Sequence, residues 1–459
     1  MGLKRMIHLA GAFRDAVKRQ GVRAIPAIVK KYLLSTRLGS RFALRGVTGK
    51  VVRAAEIAHY RQSFRVALPQ GWPARAVEVT LSVPAIPPRP HFEFADHPLG
   101  SDGEGSETVV ASAMGGFGVS HDLGLSWKYV KVPGQEDRRI LHAKQIAPGN
   151  YLLQATERLS DRSLPRSIDI LVADETGRLL VANRLAASPW HGCRSVDCAG
   201  GVVMYAEYPF EVANATPEQR DASRVWRSRD MGASWEVVFE ARDIRHFHFI
   251  QARPGHAGEW WLTSGDGVME SRVYVSKDDG ASWHDTTASY GTHLRFGASE
   301  IPRTLFRLTD LAWVDDDAVW GTDDYLYSVR GTEQGARMFR AACADVLVPQ
   351  IVGRGRWQIR NMVEVGDFFF VLTQGCNRAD ATPEEKRPGA FLMPKRAPAA
   401  PAPAMVHLFD VPVHSQVRTG FTYSRASRAA KDGTFFTYRA STDAFPSGHK
   451  MLKWEVGWG

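Results

Sequence analysis

The feature that most constrains this chain is an eight-residue pattern, Ser-x-Asp-x-Gly-x-Ser-Trp, that occurs three times, at residues 120–127, 228–235 and 276–283. An aspartate in a tight turn accepts hydrogen bonds from the backbone just ahead of it, and a glycine there supplies a positive φ. The tryptophan buries apolar area where the next strand begins. Three copies of five fixed positions therefore predict a repeated unit of two strands joined by one kind of turn.

The repeated pattern resembles the Asp-box, or bacterial neuraminidase repeat, of sialidase-like β-propellers. In that superfamily the box lies on the turn between the third and fourth strands of a blade, on the face away from the active site. A segment at 174–177, Asp-Glu-Thr-Gly, looks like a decayed fourth copy. The resemblance implies an all-β propeller in which the box residues are structural, namely Asp122, Trp127, Asp230, Trp235, Asp278 and Trp283.

Short strand-like runs over residues 46–459 predict a propeller domain with seven four-stranded blades. Stretches typical of an innermost strand recur at intervals of about 50 to 60 residues after a first blade, as expected for such blades. They begin near Ile140, Arg194, Arg245, Arg303, Gln358 and Gly420. Sialidases have six blades, so six is the alternative. Residues 77–83 are expected to pair with 451–456 and close the ring, and the Ala/Pro-rich stretch 382–404 is expected to be a loop.

The charge is concentrated in the first 50 residues. They hold twelve Lys and Arg against Asp15 alone, a charge of +11, so the net +9 of the whole chain leaves −2 for the remainder. A near-neutral body gives no electrostatic support for nucleic-acid binding. Residues 1–45 read as a basic amphipathic helical segment, which either contacts an anionic membrane peripherally or docks on the propeller.

The sequence predicts a cytoplasmic protein, with peripheral contact at the inner membrane as an option. Its four cysteines fit neither a disulfide framework nor a zinc site, and no apolar run reaches the roughly 18 residues that a membrane span needs. No signal peptide is apparent. No cofactor and no metal are expected.

The blade arrangement predicts where chemistry would lie. If the boxes mark one face, the opposite face carries the loops that precede each innermost strand and those that join second and third strands. In the fourth blade His246 and His248, two apart on a strand, share one side, and Asp266 and Glu270 lie in the following loop. These four are the predicted acid/base residues. Predicted substrate contacts come from the same face of several blades: His191, Tyr208, Arg272, Arg303, Asp323 and Arg360.

Such residues suit carbohydrate chemistry. Paired carboxylates serve glycoside hydrolysis, His or Tyr can move protons in an elimination, and arginines hold the carboxylate of an acidic sugar. Ordinary roles compete with these: turn aspartates for Asp266 and Asp323, core histidines for His246 and His248, and packing for Tyr208.

Residues 245–283 and 320–323 also resemble uncharacterised Asp-box proteins of bacterial exopolysaccharide and capsule clusters, which implies a polysaccharide context. No Arg-Ile-Pro motif precedes the first box, so a typical sialidase is not expected. The sequence predicts a glycoside hydrolase or polysaccharide lyase acting on an acidic bacterial polysaccharide or its precursor. The alternative is a non-catalytic propeller scaffold that binds glycan or protein.

Overall fold

The computed structural model describes residues 61–82, 94–96, 108–122, 125–157, 168–186, 196–208, 222–297, 299–322, 337–354, 359–373, 389–396, 405–410, 422–426, 432–440 and 451–459. Residues 62–444 and 450–459 form one compact unit. The basic segment 1–45, predicted to be helical, lies outside the described residues. Among the described residues, no helix has the length and apolar character that a membrane crossing requires.

The described residues form seven antiparallel blades, which confirms the all-β propeller and its predicted blade number. The first two blades consist of β3 (Phe94–Asp96), β4 (Val109–Ala113), β5 (Gly116–Ser120) and β6 (Lys128–Lys131), then β7 (Arg138–Ala147), β8 (Asn150–Glu157), β9 (Ile168–Asp174) and β10 (Leu179–Leu185). The third and fourth consist of β11 (Val196–Ala199), β12 (Val202–Ala206), β13 (Ser223–Ser228) and β14 (Glu236–Ala241), then β15 (Phe247–Ala252), β16 (Trp260–Ser264), β17 (Arg272–Ser276) and β18 (His284–Asp285).

A short hairpin, β19 (His293–Phe296) with β20 (Ser299–Pro302), and a 3-10 helix, Arg303–Phe306, connect the fourth blade to the fifth. The fifth and sixth blades consist of β21 (Leu308–Val314), β22 (Asp317–Thr322), β23 (Arg337–Ala342) and β24 (Gln350–Arg354), then β25 (Ile359–Val365), β26 (Phe368–Thr373), β27 (Gly389–Pro394) and β28 (Val406–Asp410). Strand β27 lies inside the stretch 382–404, so the prediction of a loop there is wrong. Its buried run Ala390–Met393 supplies the third strand of the sixth blade.

The seventh blade closes the ring by combining both ends of the described chain. It contains β29 (Thr422–Ala426), β30 (Phe435–Ala440) and β31 (Met451–Trp458), with β2 (Ala76–Ser82) and β1 (Arg61–Ala67) added at its outer side. Val79 pairs with Val456 and Leu81 with Trp454. The predicted pairing of 77–83 with 451–456 is therefore confirmed.

Burial is highest in the second strands of the blades and lower in the outermost ones. Second strands such as β12 and β16 are buried at every position, because a neighbouring sheet covers both of their faces, whereas β10 alternates between partly buried and exposed residues. This two-sided burial explains why β16 begins with three consecutive apolar residues, Trp260–Leu262, instead of an alternating pattern. Apolar clusters fill the space between successive blades, for example Phe117 with Tyr151 between the first and second and Phe249 with Trp320 between the fourth and fifth.

All three repeated turns lie between the third and fourth strands of their blades and share one hydrogen-bond pattern. In the copy at 228–235, Asp230 Oδ1 accepts the Ser228 hydroxyl at 2.8 Å and the Ser234 backbone N–H at 2.8 Å, and Oδ2 accepts the Ser234 hydroxyl at 2.6 Å. The copies at 120–127 and 276–283 repeat these contacts. In the related segment 174–177, Asp174 accepts the backbone N–H and the hydroxyl of Thr176.

Two of these turns also fasten their blade to the one before it. Asn183 of the second blade donates to the carbonyl of Gly232 at 2.8 Å, and Arg227 of the third donates to the carbonyl of Asp279 at 2.6 Å. Gly280 has a φ of 79°, and a Cβ there would lie 2.7 Å from Met204 of the third blade. Glycine is thus favoured here by its positive φ, whereas the contact involves only the flexible end of the Met204 side chain.

The box tryptophans Trp127, Trp235 and Trp283 are half-buried. Each lies at the periphery of an apolar cluster. The outer strands face solvent, so a side chain at the start of the fourth strand reaches only the edge of the core.

We expect Asp230→Asn to destabilise the fold at neutral pH and to lose this effect in acid. Hydrogen bonds from the Ser234 side chain and backbone, then from Ser228, lower the pKa of Asp230 from 3.8 to about 2. A lowered folded-state pKa contributes stability above 3.8 that is lost as the pH falls toward about 2. Urea unfolding of both proteins across this range measures the effect.

The matched control is Asp345→Asn, which removes an exposed surface pair with Lys277. It should change stability little at any pH. A stability difference for Asp230→Asn that stays constant down to pH 2 would contradict the assigned role of the turn carboxylate.

Candidate functional site

A group of charged and aromatic side chains lies at the end of the blades opposite the repeated turns. In the third blade the repeated turn follows β13, at the C-terminal end of that strand. The N-terminal end of β13 pairs with the C-terminal end of β12, so these ends lie opposite the turn. The start of β15, the innermost strand of the next blade, lies at the same end. That end holds Tyr208, which follows β12, and His246, which precedes β15. The loop between β16 and β17 and the residue before β21 lie beside them.

The two histidines are held in different ways. His248, on β15, is buried, and its Nδ1 lies 2.9 Å from the carbonyl oxygen of Leu308 in the next blade. His246 is also buried, and its ring stacks on Tyr208 with centroids 3.7 Å apart. Burial, followed by the electrostatic effect of the neighbouring His248, lowers the pKa of His246 to about 3, so the His246 imidazole is neutral at physiological pH.

Asp266 lies at the centre of the group. Its Oδ1 is 2.7 Å from Arg307 and 3.5 Å from His248 Nε2, and its Oδ2 is 3.7 Å from His246 Nε2. Burial by itself would raise the pKa of Asp266, but the adjacent His248 imidazole and the charge of Arg307 outweigh it and lower this pKa below its ordinary value. Asp266 is therefore an ionised carboxylate at neutral pH.

The loop that carries Asp266 is fixed by short local contacts. Gly265 has a φ of 143°, and a Cβ there would lie 2.8 Å from the Ser271 hydroxyl, so only glycine fits. The hydroxyls of Ser264 and Ser271 donate to the carbonyls of Glu270 and Gly267. These bonds hold the loop in one conformation over the start of β17.

Glu270 belongs to the same group through Arg245. Its Oε2 is 3.3 Å from Arg245 Nε and accepts the backbone N–H of Gly267 at 3.2 Å. Arg245 also approaches Asp266, at 3.9 Å. One arginine thus lies between the two carboxylates, and all three side chains remain partly exposed to solvent.

Two of the arginines predicted to bind substrate, Arg272 and Arg303, do not contact Asp266 or Glu270 among the described contacts. Arg303 is buried in the 3-10 helix, and its guanidinium donates to the carbonyls of Ser271 and Tyr290 and to the hydroxyl of Thr287. Arg272 is 2.6 Å from Asp243. Their donors are directed at the protein, so we leave both out of the substrate contacts. Through its hydrogen bond to the Ser271 carbonyl, Arg303 supports the end of the loop that carries Asp266.

For three other predicted site residues the structure describes no side chain. His191 and Asp323 lie outside the described residues, and Arg360 is placed only by its backbone, on β25. Glu207, beside Tyr208, is buried and accepts hydrogen bonds from Trp226 Nε1 and the backbone N–H of Arg224. It is a structural carboxylate.

Arg245 and Arg307, which the site prediction omitted, are the arginines that contact Asp266. Arg245 lies two residues before β15, and Arg307 directly precedes β21. Each therefore lies just ahead of the innermost strand of its blade. A comparison of the residues just before successive innermost strands would have found them. In the fourth and fifth blades that position lies at the end opposite the repeated turns.

We expect Arg303→Ala to lower the free energy of unfolding by about 3 kcal/mol or more, because two backbone carbonyls and a hydroxyl lose a buried partner. Arg272→Ala should cost less, about 1–2 kcal/mol, because its ion-pair partner Asp243 is exposed and its other bonds go to the Met269 carbonyl and the Tyr274 hydroxyl at the edge of the blade. Urea denaturation at one pH compares the two variants. Equal losses would show that Arg303 does not act as a buried support.

The chain matches no protein-family model, and no curated protein matches its sequence. Solved structures with a similar fold include an oligogalacturonate lyase from Vibrio parahaemolyticus, with 9% identity, a TM-score of 0.48, and coverage of 86% of this chain and 97% of that chain. Another is YCF48 from Cyanidioschyzon merolae, with 10% identity, a TM-score of 0.46, and coverage of 85% and 99%.

A third similar structure is an α-L-arabinofuranosidase from Fusarium graminearum, with 12% identity, a TM-score of 0.39, and coverage of 70% of this chain and 93% of that chain. Likenesses at this level concern the fold alone.

Proposed function

We propose that the chain is a carbohydrate-active enzyme whose substrate is an acidic polysaccharide or its precursor. One observation carries the proposal. Two arginines, two imidazoles and a second carboxylate, Glu270, from successive blades are grouped with Asp266, and the charged members are partly exposed to solvent. Desolvating so many ionisable side chains costs stability, and groups of this kind cluster at functional sites. The arginines favour an anionic ligand.

The charge states favour elimination over hydrolysis. Glycoside hydrolysis needs one protonated carboxyl group as acid beside a carboxylate. Here Asp266 has a lowered pKa and contacts Arg307, and Glu270 contacts Arg245, so neither is set up as an acid. Both carboxylates are held in ion pairs, which weighs against the hydrolase half of the sequence prediction.

In the proposed elimination, Arg245 lies against the carboxylate of a uronate residue and makes the neighbouring C–H more acidic. Glu270 accepts that proton, a carbon–carbon double bond forms, and the glycosidic C–O bond at the next carbon breaks. The leaving oxygen takes a proton from water. The products are a new chain end and an unsaturated uronate.

We expect turnover of a polyuronate such as polygalacturonate or alginate, seen as the ultraviolet absorbance of the unsaturated product. Glu270→Gln should lower the rate by about 100-fold or more, because it removes the proton acceptor. The matched control is Glu78→Gln, which breaks an exposed pair with Arg65 on the outer strands. Release of reducing ends without the absorbance would instead identify hydrolysis.

A non-catalytic glycan-binding scaffold is the second candidate, and the same ion pairs favour it. Carboxylates that are already paired with arginines can present a fixed charge pattern without reacting. Calorimetric binding of an acidic oligosaccharide without any product, weakened in Arg245→Ala, would support the scaffold. Absence of both binding and turnover across a panel of polyuronates would remove the glycan proposal.

We further propose that the basic residues of segment 1–45 hold the protein peripherally at an anionic membrane. Each basic residue near such a surface contributes about 1 kcal/mol. We expect the full chain to sediment with anionic but not with neutral vesicles. Replacing Lys18, Arg19, Lys30 and Lys31 by glutamine should release it. Unchanged sedimentation of that variant would contradict the proposal.

A further inference from the structure

We propose that His246, His248 and Asp266 form a binding site for one divalent first-row transition-metal ion. One donor atom from each of the three side chains lies within 4.8 Å of the other two. The proposal rests on the geometry of these three residues and is independent of the glycan reaction. It departs from the sequence prediction that no metal is bound.

The first argument is the tautomer of His248. A carbonyl oxygen can only accept a hydrogen bond, so the 2.9 Å contact with Leu308 requires that His248 Nδ1 carries the proton. In the neutral ring, Nε2 then presents its lone pair to Asp266 Oδ1 at 3.5 Å. A lone pair and a carboxylate oxygen repel unless a positive charge lies between them. A backbone carbonyl that accepts from Nδ1 is also the usual partner of a metal-binding histidine.

The second argument is distance. The separations from the Asp266 oxygens to His248 and His246 Nε2, 3.5 and 3.7 Å, exceed the usual range of a hydrogen bond. An ion with bonds of about 2.1 Å holds its ligand atoms about 3.0 Å apart at octahedral angles and about 3.4 Å apart at tetrahedral ones. Rotation of the two imidazoles toward the ion, which must shorten donor separations of up to 4.8 Å, would complete the site.

The third argument is the donor set. Two imidazoles and one carboxylate suit Zn²⁺, Co²⁺, Fe²⁺ or Mn²⁺ better than Ca²⁺ or Mg²⁺, which prefer oxygen ligands alone. Arg307, at 2.7 Å from Asp266 Oδ1, takes the role of an outer group that orients the carboxylate. The carboxylate can still offer a lone pair to the ion, since it accepts about four contacts in total.

The surroundings indicate what the ion would do. Both imidazoles are buried, but the Asp266 side chain is 24% exposed, so ligand positions on that side remain open to solvent. With Arg245 and Arg307 nearby, the site would carry a net positive charge. That charge matches a carboxylate or another anionic oxygen of a ligand.

The competing explanation is a proton in place of the metal. In that case His248 is an imidazolium paired directly with Asp266, and no ion binds. A metal titration distinguishes the two, because only the metal site gives a stoichiometric spectroscopic signal.

We would titrate the full-length protein, treated with a chelator and then dialysed, with Co²⁺ and record its visible spectrum. We expect one equivalent to bind, with bands of a low-coordinate nitrogen- and oxygen-ligated ion, and Zn²⁺ to displace it. His248→Asn is the sharpest variant, because its amide N–H can still donate to Leu308 while the Nε2 ligand is lost. Its affinity for Co²⁺ should fall by about 100-fold or more, with its far-ultraviolet circular dichroism unchanged.

His256→Ala is the matched control, since His256 is an exposed histidine 3.8 Å from Glu259 and away from the site. It should bind Co²⁺ as the unsubstituted protein does. Absence of a one-to-one Co²⁺ spectrum in the unsubstituted protein, or an unchanged spectrum in His248→Asn, would overturn the metal proposal. Neither result depends on glycan turnover, so the metal site and the proposed enzyme can fail separately.

Discussion

Closure of the ring by β2 and β31 is the interaction on which the other blades depend. A blade whose inner strands are apolar on both faces is stable only when both faces are covered, so the circle needs a closing sheet. Val79 and Leu81 of β2 are fully buried beside Trp454 of β31. The N-terminal part of the propeller thus supplies the outer strands of the last blade, and the inner strands of every blade stay buried.

Within the closed ring, buried carboxylates join successive inner strands. Asp197 accepts the Ala252 backbone N–H at 2.9 Å and the Lys144 ammonium at 2.6 Å. Asp310 accepts the backbone N–H groups of Leu311 and Met362, the second from the next blade. These charges cost little because hydrogen bonds satisfy them, and breaking one partner would leave a buried charge uncompensated. They show how this fold uses an aspartate for structure.

Asp266 differs from those aspartates in both exposure and partners. It bonds no backbone N–H of a neighbouring inner strand among its described contacts; instead it faces two imidazoles and two arginine side chains at the solvent edge. The rigid parts around it, the Ser264 and Ser271 bonds and the buried Arg303, hold its loop still. A fixed, partly exposed carboxylate beside two buried imidazoles is the arrangement of a binding site more than of a structural link.

The sequence by itself determined the propeller, its seven blades, the place of the repeated turns and the strands that close the ring. These follow from local turn chemistry and from spacing, because Asp230 and Gly280 act on residues a few positions away. It also indicated that His246, His248, Asp266 and Glu270 meet, since one blade carries all four. Only the tertiary structure decided which arginines join them. Arg303 lies buried under the loop while Arg307, four residues later, contacts Asp266, and this difference depends on the packing between the fourth and fifth blades, which no local pattern encodes.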